Sequence, residues 1–120
     1  MDELVAAADD DFCYLTTHGR VSGRPHEIEI WFALDGRTLY LLSGGGDRSD
    51  WVRNLRVDTE VTVRVRDVAY AATGRIVDDG EESERGRRLV FEKYQPRYSG
   101  SLEHWRRESL LVAIDVRRAD

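Results

Sequence analysis

Two short segments hold the residues whose types and spacing could do chemistry: TTHGRVSGRPH at 16–26 and SGGGDRS at 43–49. In the second, three consecutive glycines separate an apolar run, TLYLL, from a helix-like run, SDWVRNLR. Glycine lets a backbone approach a ligand closely, and the helix that follows begins with unpaired N–H groups at its positive end. Ser43, Gly44, Gly45, Gly46, Arg48 and Ser49 can therefore cradle a phosphate, provided Asp47 and Asp50 point away or cap the helix. A plain strand-to-helix connector is the alternative, and spacing alone does not separate the two. In the first segment, Arg20, Ser22 and Arg24 gather with Thr17 around a turn punctuated by Gly23 and Pro25. Such a turn is either a second anion contact or a solvated arginine cluster.

Other chemistry fits less well. The glycine loop begins like a dinucleotide fingerprint, but Ser49 stands where the third glycine belongs and the next helix is too short for a βαβ crossover. A P-loop fails because no Gly-Lys-Ser/Thr follows. His18, His26 and His104 share no metal-ligand spacing, and Cys13, in the apolar context FCYL, reads as a small buried hydrophobe. Glu27 and Glu29 lie on one face of a strand, which reads as solvated or as an interface. Trp31 shares that face, and a large aromatic there implies that the face meets something, such as a second subunit.

Composition narrows the classes further. The chain has 120 residues, one domain's worth, and a net charge of −5, which gives no electrostatic support for nucleic-acid binding. Lys93 is the only lysine, so arginines land near any site partly by chance. No run approaches the roughly 18 apolar residues of a membrane span, and the acidic start MDELVAAADDD is unlike a secretion signal. A cytoplasmic location is expected.

The elements that must position these segments follow from periodicity. FCYLTT (12–17), HEIEIWFAL (26–34), TLYLLS (38–43), EVTVRVR (60–66), VAYAATGRIV (68–77) and LLVAIDVRR (110–118) read as six strands. In 26–34, His26, Ile28, Ile30, Phe32 and Leu34 share one face. Asp35-Gly36 marks a hairpin. A short helix starts at Ser49, with Trp51 and Leu55 on its anchoring face, and a longer one runs from about 81 to 94, weakened by Gly86 and ended by Pro96. Short strands joined mostly by hairpins give a mainly β fold, an antiparallel six-stranded barrel in a single domain.

The ordered series TTHGRVSGRP, the Asp-Gly hairpin, SGGGDRSDWVRNLR and EVTVRVRD resembles the deazaflavin-dependent nitroreductase family, within the FMN-binding split-barrel, pyridoxamine-phosphate-oxidase-like superfold. The likeness runs from about residue 11 through YQPRYSGSLEHWRRESLLVAIDV. It implies a split barrel that binds coenzyme F420, whose tail carries a phosphate and a polyglutamate, with FMN as the alternative. It further implies hydride transfer to small electrophiles such as enones, quinones and nitroaromatics, in a homodimer. A non-catalytic deazaflavin, flavin or haem carrier is the rival use of the fold. On this resemblance Arg20, Ser22 and Arg24 face the anionic tail, and Pro25, His26, Ile28 and Ile30 border the ring. Ser43, Gly44, Gly45 and Gly46 touch ring or phosphate through the backbone, Trp51 and Asn54 anchor the adjacent helix, and Tyr94 and Tyr98 line the substrate side. Many relatives carry a lysine where Gly44 stands. No catalytic acid, base or nucleophile is required of the chain, because the cofactor carries the chemistry.

Overall fold

A computed structural model describes residues 3–117. The strands are β1 (Cys13–His18), β2 (Pro25–Ile30), β3 (Ala33–Asp35), β4 (Thr38–Ser43), β5 (Glu60–Val65), β6 (Val68–Ile76) and β7 (Leu110–Val116). The helices are α1 (Glu3–Ala6), α2 (Asp50–Val57), α3 (Glu81–Tyr94) and α4 (Glu103–Glu108), with 3₁₀ turns at Gly46–Arg48 and Gln95–Arg97. All strand pairs are antiparallel, in the order β2-β1-β5-β6-β7-β4-β3. Among the described residues no helix is long and apolar enough to cross a membrane.

That order dictates the shape. The two outermost strands, β2 and β3, are separated in the chain only by Trp31 and Phe32. Laid flat, the outer members of seven strands would lie about 29 Å apart, at about 4.8 Å per step. From Ile30 to Ala33 the chain takes three residue steps and reaches only about 10 Å. The sheet must therefore curl until its edges meet, and the fold is a split barrel.

The strand expected over 26–34 is thus two strands, and the sheet has seven rather than six. The break falls at Trp31–Phe32 because the chain there leaves β1, its partner through Ile30, and takes up β4 from Ala33. Alternation survives the break. Ile28, Ile30, Phe32 and Leu34 belong to the cluster inside the barrel, with Leu15, Leu39, Leu41, Val63 and Ile114. Trp31 and Ala33 belong to a second cluster outside it, with Tyr40, Val90, Tyr94 and Leu111. The second cluster forms because α3 and α4 cover the outer face of β4 and β7. Both faces of those strands are buried, which is why TLYLLS and LLVAIDV read as apolar runs and not as alternating strands. Gly86 is a contact residue rather than a weak point of α3: a Cβ there would come within 2.8 Å of the Tyr40 ring. The expected strand over 110–118 ends at Val116, and Arg118 lies outside the described residues.

At the break, the Phe32 backbone has left the ladder inside a fully buried environment. The C-terminal end of α3 supplies its partners. Tyr94 Oη accepts from Phe32 N–H at 2.9 Å and donates to Asp11 O at 2.7 Å, with Phe32 O at 3.0 Å. Lys93 Nζ donates to Phe32 O at 2.8 Å and to Asp10 O at 2.6 Å. Trp31 stacks on Tyr94 with ring centroids 4.2 Å apart and planes 4° from parallel. Trp31, expected to meet something such as a second subunit, meets Tyr94, Tyr98 and Trp105 of its own chain.

Tyr94→Phe keeps the stack but leaves the Phe32 amide and the Asp11 carbonyl without their hydroxyl partner. Urea unfolding should show a loss of about 1–3 kcal/mol, the cost of an unsatisfied buried polar group. A second expectation concerns acid. Hydrogen bonds from Arg75, at 2.7 Å to each oxygen, and from the Tyr40 hydroxyl hold the Glu82 carboxyl down to about 2. Because the shift is downward in the fold, its contribution to stability is complete above about pH 5 and is lost as pH falls toward 2. Glu82→Gln should flatten the stability profile across that window, as read by urea midpoints at successive pH values.

Candidate functional site

The turn between β1 and β2 is tied by Gly19 N to Arg24 O at 2.8 Å, Gly23 N to Gly19 O at 2.8 Å, and Arg24 N to Ser22 Oγ at 3.2 Å. Gly23 takes φ of 73°. Gly19 is needed for space: a Cβ there would lie 2.9 Å from both His26 Nε2 and Ser22 Oγ. The turn delivers Arg20 to α2. Asn54 Oδ1 accepts from Arg20 N at 3.1 Å and from Arg20 Nη1 at 2.8 Å, and Asn54 Nδ2 donates to Thr17 Oγ1 at 3.3 Å. Thr17 and Asn54 are buried, at 0% and 3% exposure. The remaining fork of the guanidinium, Nη2, donates to Asp50 Oδ1 at 3.3 Å.

Above this arrangement lies a cleft of about 380 Å³. Of the residues singled out in the sequence, it gathers Arg20, Ser22, His26, Ile28, Trp51 and Asn54. Thr17, grouped with the Arg20 turn in the sequence, lines it too, from the inward face of β1 that it shares with Cys13 and Leu15. Glu27 and Asp50 also line it, and sequence reasoning did not place them there. For Asp50 no signal existed, since its neighbour depends on how α2 docks. Arg24 and Pro25 are exposed and outside the cleft lining, while Ile30 packs against the barrel interior.

The glycine loop stands on the far side of the first turn of α2. Ser43, 3% exposed, turns inward, and its Oγ lies 2.9 Å from Ser49 Oγ. Ser49 occupies the N-cap position of α2 but makes no side-chain cap bond. Asp47 is directed away from the loop, accepting from Arg56 Nε at 2.7 Å. The amides of Gly44, Gly45 and Gly46 donate to no backbone carbonyl among the described residues. Gly44, Gly45 and Gly46 do not line the Arg20 cleft. Instead a Cβ on Gly44 would lie 3.7 Å from the Trp105 ring, so this position meets an aromatic edge.

Trp105 belongs to a second cavity, of about 470 Å³, shared with Trp31, Tyr98, Ser101, Leu102 and His104. Trp105 and Tyr98 both stand nearly perpendicular to Trp31, at 83° and 77°, giving an apolar box with aromatic walls. Tyr98 is 49% exposed at its mouth. Tyr94 lies behind Trp31, 2% exposed, with its hydroxyl committed to backbone and its pKa raised by burial. Burial likewise pushes the Cys13 thiol up to about 12, which removes it as a nucleophile at neutral pH, and lowers Lys93 to about 8.

A coenzyme with a flat ring and an anionic arm fits this donor set. Arg20 is oriented by a neutral amide, Ser22 and His26 add polar groups beside it, and the glycine amides are uncommitted. The fold has solved counterparts. A conserved hypothetical protein of Mycobacterium tuberculosis superposes with a TM-score of 0.75 at 23% identity, over 98% of this chain and 82% of that one. An F420-H2 dependent reductase gives a TM-score of 0.70 at 23% identity, over 90% and 95%. The haem-storage protein HutZ of Vibrio cholerae gives 0.71 at 15% identity, over 98% and 89%. At these identities the superpositions establish the split barrel alone. Residues 5–115, nearly the whole chain, match the model of the F420H(2)-dependent quinone reductase family, and the chain belongs to that family of F420-dependent oxidoreductases.

Proposed function

We propose that the protein reduces quinones and related small electrophiles, enones and nitroaromatics among them. The anionic arm of F420 lies along the Arg20 cleft, and the acceptor enters the box of Trp31, Tyr98 and Trp105. One observation carries the reading: the Arg20 backbone and guanidinium are both fixed by the buried, uncharged amide of Asn54, and the carboxylate that also touches the guanidinium, Asp50, is exposed and can give way to a ligand. Had the buried orienting group been a carboxylate, the charge would already be neutralised.

When bound, reduced F420 supplies a hydride and, on reoxidation, a proton, which together convert a quinone to its hydroquinone. The chain binds and orients. Thr17 fixes Asn54, Asn54 fixes Arg20, and Arg20 with Ser22 holds the negative arm. The stacked pair Trp31–Tyr94 offers a rigid apolar wall against which a flat acceptor ring can lie. Tyr98 stands exposed at the mouth, and the Tyr94 hydroxyl is already committed to backbone carbonyls. The working form in this reading is a cytoplasmic homodimer.

Fluorescence titration with F420 and with FMN, followed by menadione added to the reduced complex, tests the assignment. F420 should bind and turn over, FMN binding alone would favour a flavin enzyme, and F420 binding without turnover would favour a carrier. Arg20→Ala should weaken F420 binding about 10- to 100-fold, the worth of a charge-assisted contact, while the barrel stays folded by circular dichroism. Trp105→Ala should raise KM for menadione with little change in F420 affinity; an unchanged KM would remove the aromatic box from the acceptor site.

A further inference from the structure

Asp50 sits where an anionic ligand has least use for it. It is the first residue of α2, at the positive end of that helix, and it accepts the one guanidinium fork of Arg20 that Asn54 leaves free. Its side chain is 82% exposed and its contact with Arg20 is 3.3 Å, against 2.8 Å for the contact to buried Asn54. Arg20 is thus already positioned, through both its backbone and its side chain, by Asn54 and Thr17. What Asp50 adds is negative charge. The other carboxylate in the cleft lining, Glu27, is directed toward Arg64 at 3.7 Å, so among the described residues Asp50 is the carboxylate on Arg20.

We propose that Asp50 is an internal competitor for the Arg20 guanidinium, a carboxylate that a ligand's phosphate or carboxylate must displace, so that it lowers the affinity for ligands with an anionic arm and leaves neutral ligands untouched. The inference rests on the reading of the Arg20 cleft given above and adds a residue that acts against binding rather than for it. Displacement is easy, because an exposed aspartate returns to water at little cost. It also removes a like charge from the helix end that the anion approaches.

The opposite role, in which Asp50 holds Arg20 ready, predicts the opposite sign, so one substitution decides. Wild type, Asp50→Asn, Asp50→Ala and Arg20→Ala are titrated by fluorescence with F420 and with the same deazaflavin cut back to its neutral side chain, without phosphate or glutamates. Asp50→Asn and Asp50→Ala should bind F420 about three- to tenfold tighter, a gain that shrinks in about 0.5 M salt, and should bind the neutral analogue as wild type does. Urea midpoints should match wild type, showing that no change in folding underlies the gain. Unchanged or weaker F420 binding by Asp50→Asn overturns the competitor, as does an equal gain for the neutral analogue. If F420 affinity is indifferent to Arg20→Ala, the cleft assignment itself fails. If Arg20→Ala weakens binding while Asp50→Asn leaves it unaltered, only the competitor role falls.

Discussion

Closing a seven-stranded sheet on itself forces one strand to leave its partner and join another, and at that point a buried backbone loses its ladder. Here the point is Phe32, fully buried between β2 and β3. An amide and a carbonyl left bare inside a protein would cost several times the thermal energy each. The Tyr94 hydroxyl and the Lys93 ammonium, both at the end of α3, meet that need and also hold the carbonyls of Asp10 and Asp11 in the segment before β1. One helix end thus ties together the barrel seam and the N-terminal approach. The charge on Lys93 is tolerated there because it lies over the Phe32 ring at 3.7 Å, although burial lowers its pKa.

The seam also explains where the cavities lie. Trp31, pushed outward by the break, stacks on Tyr94 and forms a wall of the aromatic box, while Ile28, just before the break, lines the Arg20 cleft. Between the two cavities run the glycine loop and the first turn of α2. Gly44 meets Trp105 of one cavity; Asp50 and Trp51 line the other.

The contrast between Asn54 and Asp50 shows how charge is managed in the cleft. An arginine needs an acceptor to fix its plane, and a neutral amide fixes it without cancelling its charge. The buried member of the pair is neutral and the exposed member is charged. Reversing them would bury an ion pair and leave little field for a ligand.

Much of this was legible in the linear chain. Alternation in PHEIEI, CYLTT and EVTVRV, the Asp-Gly hairpin and the Gly-rich segment before SDWVRN are local signals, and local physics carries them. The family likeness rests on those same segments in their order, and it led to the cofactor. The seventh strand was not legible, because HEIEIWFAL alternates without interruption and only the change of partner from β1 to β4 divides it. Nor was the fate of Tyr94: a tyrosine near the end of a helix reads alike whether it faces a substrate or caps a buried carbonyl. Arg20 could be proposed from its turn, but Thr17, Asn54 and Asp50 converge on it only because β1 and α2 dock, across 34 and 30 residues of chain from Arg20 to Asn54 and Asp50. Residue type and spacing determine what each segment is able to do. Which of those abilities is used depends on the neighbours that long-range packing brings, and hydrogen bonds between distant residues leave no periodic trace in a sequence.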